Sequence, residues 1–175
     1  TDRINKEIKS IFITDLHKNI LKEINEGPFI YVLDSFDAIR TKEEAEKEKK
    51  LLKEKKVKDT NEDGEEKEIK EAGSYNMEKQ KYSGVLLKSI VDPLSNTNSL
   101  LLIISQTRQK INVLFGDKKT RSGGDALHFY STHEIWLSVM EHLNKNTREV
   151  GVEVFLMVKK NKVTGKLRKI KFDII

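Results

Sequence analysis

Cysteine is absent from the 175-residue sequence, and proline is scarce, with only two residues. The lack of thiolates excludes a disulfide framework and a cysteine-ligated metal site, and it agrees with a reducing compartment. Long hydrophobic runs are missing too. The sequence contains no stretch of 18 apolar residues, the length needed to span a bilayer, and its first residues lack the apolar core of a signal peptide. The composition therefore predicts a soluble, cytoplasmic protein with no membrane partner.

Charged residues make up 35% of the chain, and their distribution is uneven. Residues 40–72 hold 11 basic and 12 acidic side chains, so this segment is nearly neutral and the net charge of +5 arises elsewhere. Two basic clusters occupy residues 106–121 and 159–171, and the second contains seven cations and no acid. Clustered cations indicate a phosphate-bearing partner, either a nucleic acid or a nucleotide. Solvated charge on strands and loops is the alternative.

Hydrophobic periodicity predicts an α/β organisation. We expect a short strand at 11–13 and then a helix containing Leu16, Ile20, Leu21 and Ile24. The run at 29–36 is continuously apolar until Asp34, and the segment 99–105 has five consecutive apolar residues, as is typical of strands buried on both faces of a parallel sheet. A helix over 82–94 would connect them.

The C-terminal part of the sequence favours a short helix at 125–130 and three strands at 132–140, 152–160 and 166–175. The whole chain then predicts one mixed, mainly parallel sheet with flanking helices and C-terminal antiparallel strands. Residues 41–72 have too few apolar side chains to build a core, so we expect a charged insertion that is helical or disordered.

Two polar residues follow the predicted parallel strands. Asp34 ends the strand Tyr31-Val32-Leu33, at the edge where α/β proteins bind ligands, and such an acid can hold Mg²⁺ in nucleotide-hydrolysing folds. Gln106 would emerge beside Asp34 if the two strands are neighbours, where its amide could sense a phosphate. The residues alone leave open a turn-capping aspartate and an exposed polar strand end.

Four ordered segments resemble the RecA family of recombinases. They are FIYVLDS at 29–35, GSYNM at 73–77, the Gln106 strand and the loop after it at 100–130, and VKKNKV at 158–163. In that family they correspond to the Walker B strand, the first DNA-binding loop, the glutamine switch with the second DNA-binding loop, and a late strand carrying Lys-Asn-Lys. The resemblance implies a RecA-like P-loop ATPase core. The charged insertion at 41–72 lies outside the part of the chain that resembles the family.

The resemblance also implies roles for individual residues in binding ATP and Mg²⁺. Asp34, as the metal-binding residue, and Ser35 would support Mg²⁺ and the nucleotide, and Gln106, as the catalytic residue, would couple the γ-phosphate to the following loop. Lys160 and Lys162 match lysines that reach the ATP of the neighbouring subunit in a homo-oligomeric filament. Phe129 matches an aromatic residue at the same subunit interface.

The resemblance assigns contacts with single-stranded DNA to the two loops. The matching positions are Met77, Arg108, Lys110, Arg121, Gly123 and Gly124. A glycine pair lets the backbone approach a phosphate without obstruction by Cβ atoms, and flanking cations neutralise the charge. The alternative is a turn-forming glycine pair for Gly123 and Gly124, and core packing for Met77 and Phe129.

The sequence departs from the family in one large respect: no GxxxxGK[ST] motif occurs in it. We therefore expect residues 1–175 to be a partial RecA-like ATPase core that hydrolyses no ATP by itself. Asp125 and His128 also stand where the family usually has an amide and a lysine. A RecA-fold helicase-type ATPase and a non-hydrolysing DNA-binding or filament module are the alternative functions.

Overall fold

A computed structural model of the chain describes residues 7–58, 74–109, 119–121 and 124–175. The chain divides into two compact units, residues 1–127 and 128–175, and each is described separately. The helices are α1 (Ile13–Ile24), α2 (Lys42–Lys58), α3 (Ser74–Asn96) and α4 (Gly124–Tyr130). The strands are β1 (Ile30–Leu33), β2 (Leu100–Ile103), β3 (Thr107–Gln109), β4 (Lys119–Arg121), β5 (His133–Lys145), β6 (Arg148–Asn161) and β7 (Lys169–Ile174).

Helix α1 presents one apolar stripe to the core of the first unit. Ile13, Leu16 and Ile20 are spaced at helical intervals and are almost fully buried. The helix begins where the Asp15 carboxylate accepts a hydrogen bond from the Phe12 backbone N–H at 3.1 Å. The strand expected at 11–13 is wrong: it is reduced to a single parallel bridge between Phe12 and Arg40, because Ile13 already belongs to the helix.

Helix α3 contains the helix predicted over 82–94 and begins earlier, at Ser74. Leu86, Leu87 and Ile90 form its buried stripe. It packs against α1, and the Ser89 hydroxyl lies 2.9 Å from Nε2 of His17. None of the helices in the described part of the chain is long and apolar enough to cross a membrane.

Strands β1 and β2 pair in parallel, as the sequence predicted, with Leu33 opposite Ile103. The expectation that both faces of this pair are buried is wrong. Tyr31 and Leu33 point into the core, whereas Ile30 is 72% exposed and Val32 is 54% exposed. The reason is that, among the described residues, the second face of β1 lines an open groove and no element covers it.

The charged segment 41–72 begins with an ordered helix, α2. Thr41 is fully buried and caps the helix: its hydroxyl accepts the Glu44 N–H at 3.1 Å, and the Glu44 carboxylate accepts the Thr41 N–H at 2.7 Å. This reciprocal pair is a capping box. Glu43 also accepts a hydrogen bond from the Tyr82 hydroxyl of α3 at 2.7 Å. Residues 59–73 lie outside the described part of the chain.

The second unit contains the antiparallel meander β5-β6-β7 that the sequence predicted. One face of the sheet is apolar: Leu137, Leu156 and Ile170 lie side by side across the three strands. The single, mainly parallel sheet is wrong for the described residues, because β1-β2, β3-β4 and β5-β6-β7 are separate hydrogen-bonded ladders. Short turns join the strands of the meander, and such connections permit only antiparallel pairing.

Candidate functional site

The first candidate site lies at the carboxyl end of β1. Asp34 follows Leu33 directly, is exposed, and lines the open groove of about 600 Å³ together with Ser35, Ile30 and Val32. The peptide bond between Asp34 and Ser35 is cis. Mg²⁺ in nucleotide sites is commonly held by one or two carboxylates together with substrate phosphates. Asp34 and the Ser35 hydroxyl have the oxygen chemistry for this, although the described residues contain no group of three or more potential metal ligands.

Asp37, which the sequence analysis missed, connects the ends of the two parallel strands. Its Oδ2 atom accepts a hydrogen bond from the Gln106 backbone N–H at 2.7 Å and from the Ser105 hydroxyl at 3.1 Å. Gln106 was expected to emerge beside Asp34, and the hydrogen bond of its backbone is instead with Asp37, one turn further along. A second acid three residues after Asp34 is the signal that could have identified Asp37.

Arg108 also reaches Asp37. Its Nη2 atom lies 3.6 Å from Oδ1 of Asp37, while the Arg108 side chain is 64% exposed and that of Asp37 is 8% exposed. Arg108 belongs to β3, which pairs with β4 so that Thr107 stands opposite Arg121. The hairpin thus carries two of the predicted DNA-binding cations on neighbouring strands.

The remaining predicted DNA-binding residues are less fully described. Gly124 is the first residue of α4, and Met77 lies in the first turns of α3. Met77 was assigned to a loop, and the structure has helix at its position. Lys110 and Gly123 lie outside the described residues.

Lys79 of α3 is a second cation beside Asp37 and was also missed from the sequence. It is 7% exposed, and its ammonium group donates hydrogen bonds to the backbone carbonyls of Phe36 at 2.8 Å and Asp37 at 3.4 Å. Burial lowers the pKa of Lys79, and the charges of Glu44 and Asp37 oppose that shift. The signal in the sequence is its spacing, since it lies four residues before the buried Ser83 on the inward stripe of α3.

The second candidate site, within residues 128–175, surrounds the end of α4. The ammonium group of Lys160 donates hydrogen bonds to the carbonyls of His128 and of Phe129, the latter at 3.1 Å, and Lys162 donates to Phe129 at 3.2 Å. The Phe129 side chain is 68% exposed and contacts Tyr130 edge-to-face, with the ring centres 5.0 Å apart. The structure therefore brings Phe129 together with Lys160 and Lys162, which come from two segments that are far apart in the sequence.

Glu134 organises the same region and was not anticipated. Its carboxylate is 2.5 Å from Nδ1 of His128 and accepts a hydrogen bond from the Trp136 indole at 2.6 Å. Glu134 is 8% exposed, so its charge is compensated by these neighbours rather than by bulk water. His128 occupies a position where the sequence departs from the RecA pattern, and here it pairs with a buried acid.

Comparison with known proteins agrees with the motif resemblance. A family model described as the RecA N-terminal domain matches residues 65–175. Protein RecA of Gloeobacter violaceus is 37% identical over 89 residues, covering 51% of this chain and 24% of the relative. The RecA proteins of Bordetella petrii and Rhodococcus jostii are 35% and 37% identical over 89 residues, again 51% of this chain and 25% and 26% of their own lengths.

The chain thus spans about a quarter of the length of these curated relatives. The family model, in contrast, covers more than half of the chain and includes Gln106, Arg108, Lys160 and Lys162. The segments that carried the resemblance in the sequence fall largely within the same match. On this evidence the chain belongs to the RecA family.

Proposed function

We propose that the protein containing this chain is an ATP-dependent recombinase that binds single-stranded DNA and assembles as a homo-oligomeric filament. The observation that carries the proposal is the connection at the carboxyl edge of β1 and β2. There, Asp37, three residues after Asp34, accepts a hydrogen bond from the Gln106 backbone N–H and forms an ion pair with Arg108 of the cationic hairpin that follows. A change at the nucleotide can therefore be transmitted to the DNA-binding segment over a few bonded residues.

In this proposal Asp34 and Ser35 hold Mg²⁺ and its water shell against the ATP phosphates. The position supports this role because both residues line the groove at the end of a parallel strand. Gln106 acts as the phosphate-sensing residue. Since the sequence contains no GxxxxGK[ST] motif, residues 1–175 alone are proposed not to hydrolyse ATP.

The hairpin β3-β4 and the segment between its strands would contact the DNA backbone. Arg108 and Arg121 lie on adjacent strands, and Lys110 follows β3 directly in the sequence. Arginine and lysine neutralise phosphates, and single-strand binding depends strongly on this electrostatic contribution. Gly123 and Gly124 would let the backbone approach the sugar-phosphate chain, with Met77 contributing from the start of α3.

Filament contacts would use the end of α4. Phe129 offers an exposed aromatic ring, and Lys160 and Lys162 gather at the same place, which suits a surface that meets the ATP of a neighbouring subunit. Aromatic side chains of this kind are enriched at protein interfaces. This assignment supplies the interfacial nucleotide with two positive charges.

The test is nucleotide-dependent binding of a fluorescent single-stranded oligonucleotide to the intact protein. Mg²⁺ and ATP are expected to raise the affinity, and Asp34→Asn should abolish this increase while leaving nucleotide-free binding unchanged. Asp92→Asn, a change of the same charge at an exposed position of α3, should behave as the wild type. If the affinity of the wild type for the oligonucleotide is the same with and without ATP, the proposal is contradicted. If the protein unwinds a forked duplex and does not pair homologous strands, a helicase function is favoured.

A further inference from the structure

Asp37 combines features that separate it from an ordinary turn-capping acid. It lies in the short 3-10 turn Phe36–Ala38, and its side chain is nearly inaccessible. Two hydrogen bonds, from the Gln106 N–H and the Ser105 hydroxyl, fix Oδ2. The other oxygen, Oδ1, is buried and accepts no hydrogen bond from the described residues; its neighbour is the Arg108 guanidinium at 3.6 Å.

We propose that Asp37 is a positioning residue that holds the Gln106–Arg108 segment and competes with DNA phosphate for the Arg108 guanidinium. The inference rests on the proposed role of Arg108 in DNA binding. It adds a residue that neither the motifs nor the family resemblance selected. In this arrangement Arg108 is engaged by the protein until a phosphate replaces the Asp37 carboxylate.

The geometry makes the Arg108 contact the releasable one. A guanidinium recognises carboxylate and phosphate oxygens through the same N–H donors, so the two acceptors are mutually exclusive for a given donor. At 3.6 Å, and with Arg108 largely in solvent, the ion pair is weak and its loss costs little. Asp37 itself stays in place, because its hydrogen bonds with Ser105 and Gln106 do not involve Arg108.

Lys79 explains why Asp37 tolerates the departure of its partner. Its ammonium group donates hydrogen bonds to the Phe36 and Asp37 carbonyls. The charges of Glu44 and Asp37 stabilise the ammonium group, and the charge of Arg108 opposes it. When Arg108 moves to DNA, Lys79 still provides a positive charge near the buried carboxylate. A buried acid that loses all compensation would instead be strongly unfavourable.

The experiment compares Asp37→Asn, Arg108→Ala and the double variant in single-stranded DNA binding by the intact protein at low salt. Asparagine keeps an oxygen that accepts the Gln106 and Ser105 hydrogen bonds but removes the charge that attracts Arg108. Asp37→Asn is expected to tighten binding by roughly two- to fivefold, the range of a weak exposed ion pair. The gain should vanish in the Arg108→Ala background.

Asp92→Asn is the matched control for net charge, and the hydrogen exchange of the Gln106 amide reports on positioning. Asp37→Asn should retain the protection of this amide, whereas Asp37→Ala should lose it. An affinity unchanged by Asp37→Asn, while Arg108→Ala weakens binding, overturns the inference and leaves the proposed function intact. If Arg108→Ala has no effect on DNA binding in either background, Arg108 does not contact DNA. If Asp92→Asn raises the affinity as much as Asp37→Asn, the effect is one of net charge, and the inference is also overturned.

Discussion

The ammonium group of Lys162, the residue directly after β6, donates a hydrogen bond of 3.2 Å to the backbone carbonyl of Phe129 at the C-terminal end of α4. Lys160 makes the same kind of contact at 3.1 Å. The last carbonyls of a helix have no partner within the helix, and cations stabilise them through hydrogen bonds and the helix dipole. The two lysines proposed for nucleotide binding therefore also stabilise the end of α4.

Replacing both lysines, Lys160→Gln and Lys162→Gln, should destabilise the protein because the end of α4 loses its cations. We expect each replacement to lower the free energy of unfolding by about 0.3–1 kcal/mol, measured by urea denaturation. The control variant, Lys166→Gln with Lys169→Gln, removes the same charge. In the described part of the chain, the side chains of these two lysines form no hydrogen bond with α4. Equal losses in the two double variants would show that net charge, and not helix capping, is responsible.

Removing two cations near the hairpin should weaken DNA binding in a salt-dependent way. Arg108→Ala with Lys110→Ala should lower the affinity for single-stranded DNA and reduce the slope of log affinity against log salt by roughly 0.7 for each lost phosphate contact. The measurement is a salt titration by fluorescence anisotropy. Lys166→Ala with Lys169→Ala is the charge-matched control, and a loss of affinity confined to that control would place the DNA site at β7 and the residues just before it.

The burial of Lys79 predicts a pH-dependent contribution to stability. Because its pKa in the folded state lies below the ordinary value of 10.5, the cost of burying the charged ammonium group is fully present at pH values below that lowered pKa. As pH rises from the lowered pKa toward 10.5, the unfolded chain keeps the proton longer, so the free energy of unfolding increases. The wild type should therefore gain stability relative to Lys79→Met over this range, measured by urea unfolding at successive pH values.

Lys88→Met, on the exposed side of the same helix, controls for the titration of other groups. Its difference from the wild type should stay nearly constant over the same pH range. A flat difference for Lys79→Met as well would mean that the ammonium group of Lys79 is well solvated.

The capping box at the start of α2 should contribute measurably to stability. Thr41→Ala removes the acceptor for the Glu44 N–H and should lower the free energy of unfolding by about 1 kcal/mol, whereas Thr41→Ser retains the hydroxyl. Thr14→Ala is a suitable control, because the Thr14 hydroxyl has no hydrogen-bond partner among the described residues. If Thr41→Ala is as stable as the wild type, the N-terminus of α2 does not support the fold.

The sequence predicted the elements whose side-chain period is unambiguous. The stripe Leu16-Ile20 marked α1, and the alternation of cations and apolar residues in β7 marked a strand. The expectation that only one face of β7 is solvated is wrong, because all six of its residues are exposed. The uniform run in β1 failed as a guide to burial, since a continuous apolar sequence indicates two apolar faces but not what covers them. The exposure of Ile30 and Val32 could only come from the structure.

Some residues of the candidate site could be predicted from the sequence, and others could not. Asp34 and Gln106 were found because strand ends are recognisable in a sequence. Asp37 and Lys79 were missed because their roles depend on contacts between residues far apart in the chain, such as the 2.8 Å hydrogen bond from Lys79 to the Phe36 carbonyl. A lysine in a polar-looking helix segment gives no sign of its burial until the partner element is known.

Gly151 determines how far the edge strand β7 can remain attached to the sheet. A Cβ atom at this position would overlap the Ile174 carbonyl, which is backbone and cannot rotate away. A larger residue would push the end of β7 away from β6, beginning with the pair Val152 and Ile174 and leaving Glu153 and Asp173 as the outermost pair. The lack of a side chain at Gly151 thus allows β7 to stay paired with β6 as far as Ile174. A substitution at position 151 would make this edge of the sheet fray from that end.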